Sequence, residues 1–224
     1  MFADLLIRFE LCTEMVVPDH PIPFEALLMK ARAVKDLAPL DRDPFGLPHV
    51  ELPLARHPDY PQLYLAGLGL IEAAGRHVQF ITKRPEKDMP DTVDLSGGFF
   101  KPVYRTVYTL APPIAVTFHA RGNKAAVGEL LPFVYAVGAR RSQGYGRVCK
   151  YTVGETAEAG YWEHEGRPGR AIPIEYRPDK TAEWYYAPFP LALPGYTTQD
   201  VRLCYLPRPY EWLRIGEQGG THFP

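Results

Sequence analysis

The 224-residue chain has only three cysteines, Cys12, Cys149 and Cys204. The count is odd and no CxxC pair occurs, so neither a disulfide framework nor a cysteine zinc site is implied. No apolar run reaches the ~18 residues of a membrane-spanning helix. The opening MFADLLIRFELCTEMVV carries Asp4, Arg8 and Glu10 among its apolar residues, a strand pattern rather than a signal peptide. HExxH, GxSxG, paired-acid and metal-ligand spacings are all missing, so no metal or cofactor is expected. The expectation is a cytoplasmic protein with no membrane partner. Proline, by contrast, is abundant at 24 residues, dispersed and flanked by apolar residues, as in PHVELPLARHPDYPQLYL. That pattern predicts ordered loops and edge strands rather than a disordered tail.

Net charge is also nearly absent, at −1, but its distribution is uneven. Residues 95–154 hold eight bases (Lys101, Arg105, Arg121, Lys124, Arg140, Arg141, Arg147, Lys150) and one acid, Glu129, for +7. Residues 1–94 carry −5 and residues 155–224 carry −3. A basic middle between acidic ends points to a polyanion site on an otherwise neutral protein.

Leu5, Ile7, Phe9 and Leu11 alternate, predicting a half-buried strand. Phe24, Leu27, Leu28, Ala31 and Val34 recur at helical spacing after Pro23. Residues 64–75 read equally as helix or strand, and 77–84 as a strand. Residues 85–98 form a loop and 99–110 an extended arm. Ile114, Val116 and Phe118 mark a strand over 113–120. Asn123 can cap a helix that carries Val127, Leu130, Leu131 and Val134 and stops at Gly138. GRVCKYTV then leaves as a strand. The order β-α-β-β-α-β is the ferredoxin-like plan of an α+β protein. The division expected is a ferredoxin-like domain over 1–154, with a thumb-like insertion at about 85–113, and a small β-rich C-terminal extension over 155–224.

Residues 138–151, GARRSQGYGRVCKY, are glycine-rich and basic. A dinucleotide fingerprint needs GxGxxG between a strand and a helix. Here Cys149 replaces the third glycine, and the helix precedes the loop. A phosphate loop would need GK[ST], which is missing. The RNA-recognition-motif signature matches at Gly144, Tyr145, Gly146 and Val148 but fails at Gln143, Arg147 and Lys150. A plain helix-to-strand turn would explain the glycines but not the arginines beside them. Glycine lets a ligand approach backbone N–H groups, and arginine supplies fork-shaped donors matched to phosphate.

GARRSQGYGRV in this position resembles the glycine-rich loop of the RAMP superfamily of CRISPR proteins. Within it, FELCTEMVVPDHPIPFEALLMKA and FHARGNKAAVGELLPFVYAVGARRSQGYGRV resemble the type IV Cas-five-like (Csf-three type) handle-binding subunit. With KRP after the second strand, the resemblance covers roughly residues 5–154. Many RAMP loops carry more glycines and a phenylalanine where Tyr145 stands. The resemblance implies a noncatalytic RNA-binding subunit of a type IV CRISPR ribonucleoprotein that grips the 5′ handle of the CRISPR RNA and caps the backbone filament. Its partners would be the CRISPR RNA and the backbone and large subunits of the complex, with target DNA met only indirectly. Arg140, Arg141, Ser142, Gln143, Gly144, Tyr145, Gly146 and Arg147 would contact RNA, with Lys124. Lys101, Tyr104 and Arg105 would do so from the thumb-like arm, where Tyr104 and Tyr108 could stack on bases or form a cross-strand ladder.

Some RAMP proteins cut RNA without a metal, so the alternative is a metal-independent endoribonuclease that processes CRISPR RNA. His20, His119 and Tyr145 are its candidate acid–base residues. No catalytic residue is assigned, because an isolated histidine is more often an ordinary surface or core residue.

Overall fold

The computed structural model describes residues 1–18, 20–36, 51–83, 103–190, 201–208 and 211–216, with backbone alone at 80–83, 103–106 and 190. Strand β1 (Ala3–Leu11) buries Leu5, Ile7, Phe9 and Leu11 on one face while Leu6, Arg8 and Glu10 point to the other, as the alternation requires. A two-residue strand β2 (Met15–Val16) follows. Helix α1 (Phe24–Lys35) then buries Phe24, Leu27, Leu28 and Ala31. Pro23 stands at its N-cap, where the φ it imposes is tolerated and its missing N–H costs nothing.

The stretch over 64–75, open between helix and strand in the sequence, splits. Residues 64–69 make isolated bridges, and strand β3 runs from Leu70 to Lys83. Its partner β4 spans Val103–Gly122. The described part of the expected arm is therefore not separate. Residues 103–110 continue straight into the strand expected at 113–120, and 103–117 pair antiparallel with β3. Pro112 and Pro113 interrupt the ladder, since neither has an N–H to donate. The register shifts there, between Ala73 and Gly75. The rest of the expected thumb, residues 85–102 with Lys101, lies outside the described residues.

Asn123 caps helix α2 (Lys124–Leu130) by accepting from the Ala126 N–H at 3.1 Å. The helix does not reach Gly138, contrary to the pattern of Val127, Leu130, Leu131 and Val134. It tightens into a 3-10 turn at Leu131–Phe133 and ends. Pro132 is the reason, since it offers no N–H and crowds the preceding turn. Beyond it, residues 135–137 run extended and pair with 146–148 through Val148 N–H to Tyr135 O (2.9 Å) and Val137 N–H to Gly146 O (2.8 Å). The glycine-rich stretch is thus the tip of a hairpin rather than a helix-to-strand turn.

Strand β5 (Val148–Glu155) completes the first part of the chain. The rest supplies short strands: β6 (Glu163–His164), β7 (Arg167–Pro168), β8 (Ile172–Pro173), β9 (Tyr186–Pro190), β10 (Val201–Tyr205) and β11 (Leu213–Ile215). The main sheet runs β11-β3-β4-β1-β5, with β2 on β4, in a mixed α+β architecture dominated by sheet. Phe118 packs edge-on to Phe9 (6.0 Å) and against Phe24 (5.1 Å) between the sheet and α1. Each such fully buried side chain stabilises the fold by roughly 1.5–3 kcal/mol.

The C-terminal segment is fastened to this core. Strand β11 pairs parallel with β3, and the backbone carbonyl of buried Trp212 accepts from the Ile71 N–H at 2.8 Å. Arg170, also buried, meets Glu25 of α1 at 3.3 Å and donates to the Tyr64 carbonyl. Burial pushes the Glu25 carboxyl above the usual carboxylate range, with Arg170 pulling against it.

Candidate nucleic-acid interface

The hairpin tip is held from below by the chain between β1 and β2. Thr13 Oγ1 donates to Gly144 O (3.0 Å) and accepts from Arg147 N–H (2.9 Å). Gly146 N–H donates to Glu14 O (2.7 Å), and Cys12 N–H donates to Arg147 O (2.9 Å). Tyr145 donates to Gln79 Oε1 on β3 (2.8 Å), and Gln79 in turn donates to Glu14 (3.0 Å). Tyr145 is therefore half-buried and anchored.

Between these pins the backbone takes two left-handed residues, Arg140 (φ 54°) and Gly144 (φ 91°), on either side of a 3-10 turn at Arg141–Gln143. A non-glycine residue in that region costs about 1–2 kcal/mol. The contact from Arg140 Nη1 to Gln143 Oε1 (3.2 Å) holds the turn in place. The two glycines play different parts. A Cβ on Gly146 would lie 1.8 Å from the Val137 carbonyl oxygen, so the stem permits only glycine there. A Cβ on Gly144 would meet nothing within 4 Å. The space over Gly144 is open to an incoming group.

That space belongs to a cleft of about 550 Å³ walled by Tyr135, Tyr145 and Tyr151, with Arg141, Ser142 and Arg147 at its edge. Tyr135 is 62% exposed and Tyr151 38%, which leaves both rings open to a ligand. A second cleft of about 250 Å³ shares Tyr135, Arg141 and Ser142 with the first and adds Lys30 from α1. Among the described residues, no acid lines either cleft. Burial, and then the charge of Arg141, hold the Lys30 ammonium below its ordinary value. An anion placed between these two cations would relieve that repulsion.

Three of the eight bases in the middle of the chain are paired with acids away from the hairpin tip. Arg121 meets Asp4 (3.8 Å), Lys124 meets Glu155 (3.6 Å) and Lys150 meets Glu10 (3.5 Å). Among the described residues, Arg140, Arg141 and Arg147 have no acidic partner within ion-pair distance. Among the described side chains of residues 95–154, the unpaired bases are thus the three at the hairpin tip.

Of the residues singled out from the sequence, Arg141, Ser142, Gly144, Tyr145 and Arg147 come together in the cleft. Arg140, Gln143 and Gly146 form its turn and stem. Lys124 does not join them. It stands where β5 ends, and an eight-residue strand places it roughly 25 Å from the tip. Tyr104 and Arg105 lie on β4 opposite Thr82 and Ile81, and Lys101 lies outside the described residues. Lys30, Tyr135 and Tyr151 were missed. Lys30 and Tyr135 have only an outward position between buried neighbours as a sequence signal, and Tyr151, on a strand with no buried residue, has none.

The two histidines considered for acid–base chemistry do not line the cleft. His20 is exposed and packs edge-on to Phe189 at 6.3 Å. His119 is buried on the sheet face away from the helices, and its imidazole is held below its ordinary value by burial and by the facing His164.

No family model matches the sequence, and no curated protein is similar to it. Among solved structures, a chain in the cryo-electron microscopy structure of the type III-B Cmr-beta bound to cognate target RNA is similar, at 13% identity and a TM-score of 0.38. The likeness covers 69% of this chain and 61% of that one, so this chain spans about three fifths of that neighbour's length.

Proposed function

We propose that this chain is a noncatalytic RNA-binding subunit of a CRISPR ribonucleoprotein, of the type IV Cas-five-like kind, which grips the 5′ handle of the guide RNA with its glycine-rich hairpin tip. The observation that carries the reading is the 550 Å³ cleft, where Arg141 and Arg147 flank tyrosines and an open glycine backbone. Arginine forks and exposed backbone suit phosphates, and tyrosine faces suit unstacked bases. The order β5-β1-β4-β3, with one helix after β1 and one after β4, supports the ferredoxin-like reading behind the resemblance. The division into a domain over 1–154 and an extension over 155–224 is part of the same proposal. Its partners would be the guide RNA and the backbone and large subunits of the complex.

The test is made inside the assembled complex, co-expressed with the neighbouring subunits and a CRISPR array. Affinity for repeat-derived handle RNA is measured over a salt series for wild type and for Arg141→Ala with Arg147→Ala. Binding weakens, and the slope of log K against log salt falls by about 0.7 for each phosphate no longer neutralised. Unchanged affinity and slope would reduce the loop to a connector. Loss of guide-RNA cleavage in EDTA on replacing His20 or His119 would favour the endoribonuclease reading instead.

A further inference from the structure

On the face of the sheet away from the helices, three donors converge from separate parts of the chain. His119 sits on β4, His164 at the end of β6, and Glu158 in the loop that precedes β6. One donor atom from each lies within 4.8 Å of the others. The two imidazole rings are 4.9 Å apart, and His164 Nδ1 approaches Glu158 Oε1 to 2.7 Å. Nδ1 of both histidines is buried and has no well-directed hydrogen-bond partner. A buried ring nitrogen without a well-directed partner costs free energy that a ligand at this point would recover.

The surroundings fit a small cation. Gly160 leaves the space open, since a Cβ there would lie 2.9 Å from the His119 ring and 3.0 Å from His164 Nδ1. A cavity of about 30 Å³ adjoins both histidines, room for about one water. The neighbouring Glu165 is engaged by Arg214 at 2.8 Å, so Glu158 is the available carboxylate. Two imidazoles with one carboxylate suit a borderline divalent ion, whereas magnesium and calcium prefer all-oxygen sites.

We propose that His119, Glu158 and His164 bind a divalent transition-metal ion of the zinc class, with a water in the fourth position, and that this ion fastens the 158–167 segment to β4. The backbone already runs close here: Gly67 N–H donates to His119 O (2.8 Å) and Leu68 N–H to Gly169 O (2.7 Å). The ion would lock that seam through side chains. Small side-chain rotations, chiefly of exposed Glu158, bring the donors to the ~2.0–2.2 Å bonds that zinc requires.

The full chain is stripped with EDTA, titrated with zinc or magnesium near neutral pH, and followed by thermal melting and by metal analysis after gel filtration. About one equivalent of zinc should be retained and should raise the melting temperature, while magnesium does neither. Glu158→Gln changes an exposed side chain, so it should leave the metal-free melting temperature unchanged and weaken zinc binding at least about ten-fold. His164→Ala should abolish retention. Cobalt(II) should give tetrahedral d–d bands without thiolate charge transfer. No retained zinc overturns the proposal. So does equal retention in both variants, or a thiolate-to-cobalt band, which would place the ion on a cysteine.

Discussion

Replacing Gly146 by alanine tests the hairpin-tip geometry most directly. The new Cβ would sit 1.8 Å from the Val137 carbonyl oxygen and 2.9 Å from its carbon. Comfortable separation is nearer ~3.5 Å, and the atoms in the way are backbone, which cannot rotate aside. The stem must therefore part, breaking two hydrogen bonds: Val137 N–H to Gly146 O (2.8 Å) and Gly146 N–H to Glu14 O (2.7 Å). Each contributes about 1 kcal/mol net, and holding alanine at φ 66° adds about 1–2 kcal/mol. The expected destabilisation is about 3–4 kcal/mol, or a drop of about 10 °C in melting temperature for a chain of this size. Gly144→Ala carries only the left-handed cost, about 1–2 kcal/mol, because its Cβ meets nothing. It nonetheless fills the space offered to RNA, so it should weaken RNA binding more than it lowers stability. Far-UV circular dichroism melts and RNA anisotropy titrations of both variants give the answer. If Gly146→Ala melts with wild type, the described stem is wrong; if Gly144→Ala binds RNA normally, the open space has no part in recognition.

Three further outcomes are expected. Tyr135→Ala removes a side chain that is 62% exposed, so melting is unchanged while RNA affinity falls by about 1–3 kcal/mol if a base stacks there; unchanged affinity in titrations would remove it from the interface. Lys30→Met relieves repulsion from Arg141, so it should leave stability unchanged or raised and weaken RNA binding, whereas Lys124→Ala, paired with Glu155 at the far end of β5, should leave RNA binding unchanged in the same assay. Glu25→Ala strands the buried Arg170 guanidinium and should cost about 3–5 kcal/mol in denaturant unfolding, and a cost under about 1 kcal/mol would show that the pair is solvated.

Local pattern was enough for several elements. The alternation of Leu5, Ile7, Phe9 and Leu11 specified β1 because its period places them on one face, and the helical spacing after Pro23 specified α1 for the same reason. Asn123 announced its cap, since capping is settled within three residues. The stretch 138–147 was marked because a plain turn accounts for its glycines but not for the three arginines beside them. Other features depend on partners distant in sequence. The apolar spacing through Val134 read as helix, yet Pro132 released that stretch to pair with 146–148. Eight bases in the middle of the chain read as one patch, yet Asp4, Glu10 and Glu155, brought in by the strands, neutralise three of them. Tyr135 and Tyr151 face the cleft, and His119 meets Glu158 and His164, only once the sheet and the C-terminal segment are in place. Periodicity and capping act over a few neighbouring residues and can be read from them, whereas a cleft, an ion pair or a metal-ligand set is created by distant segments meeting, and they meet only in the folded chain.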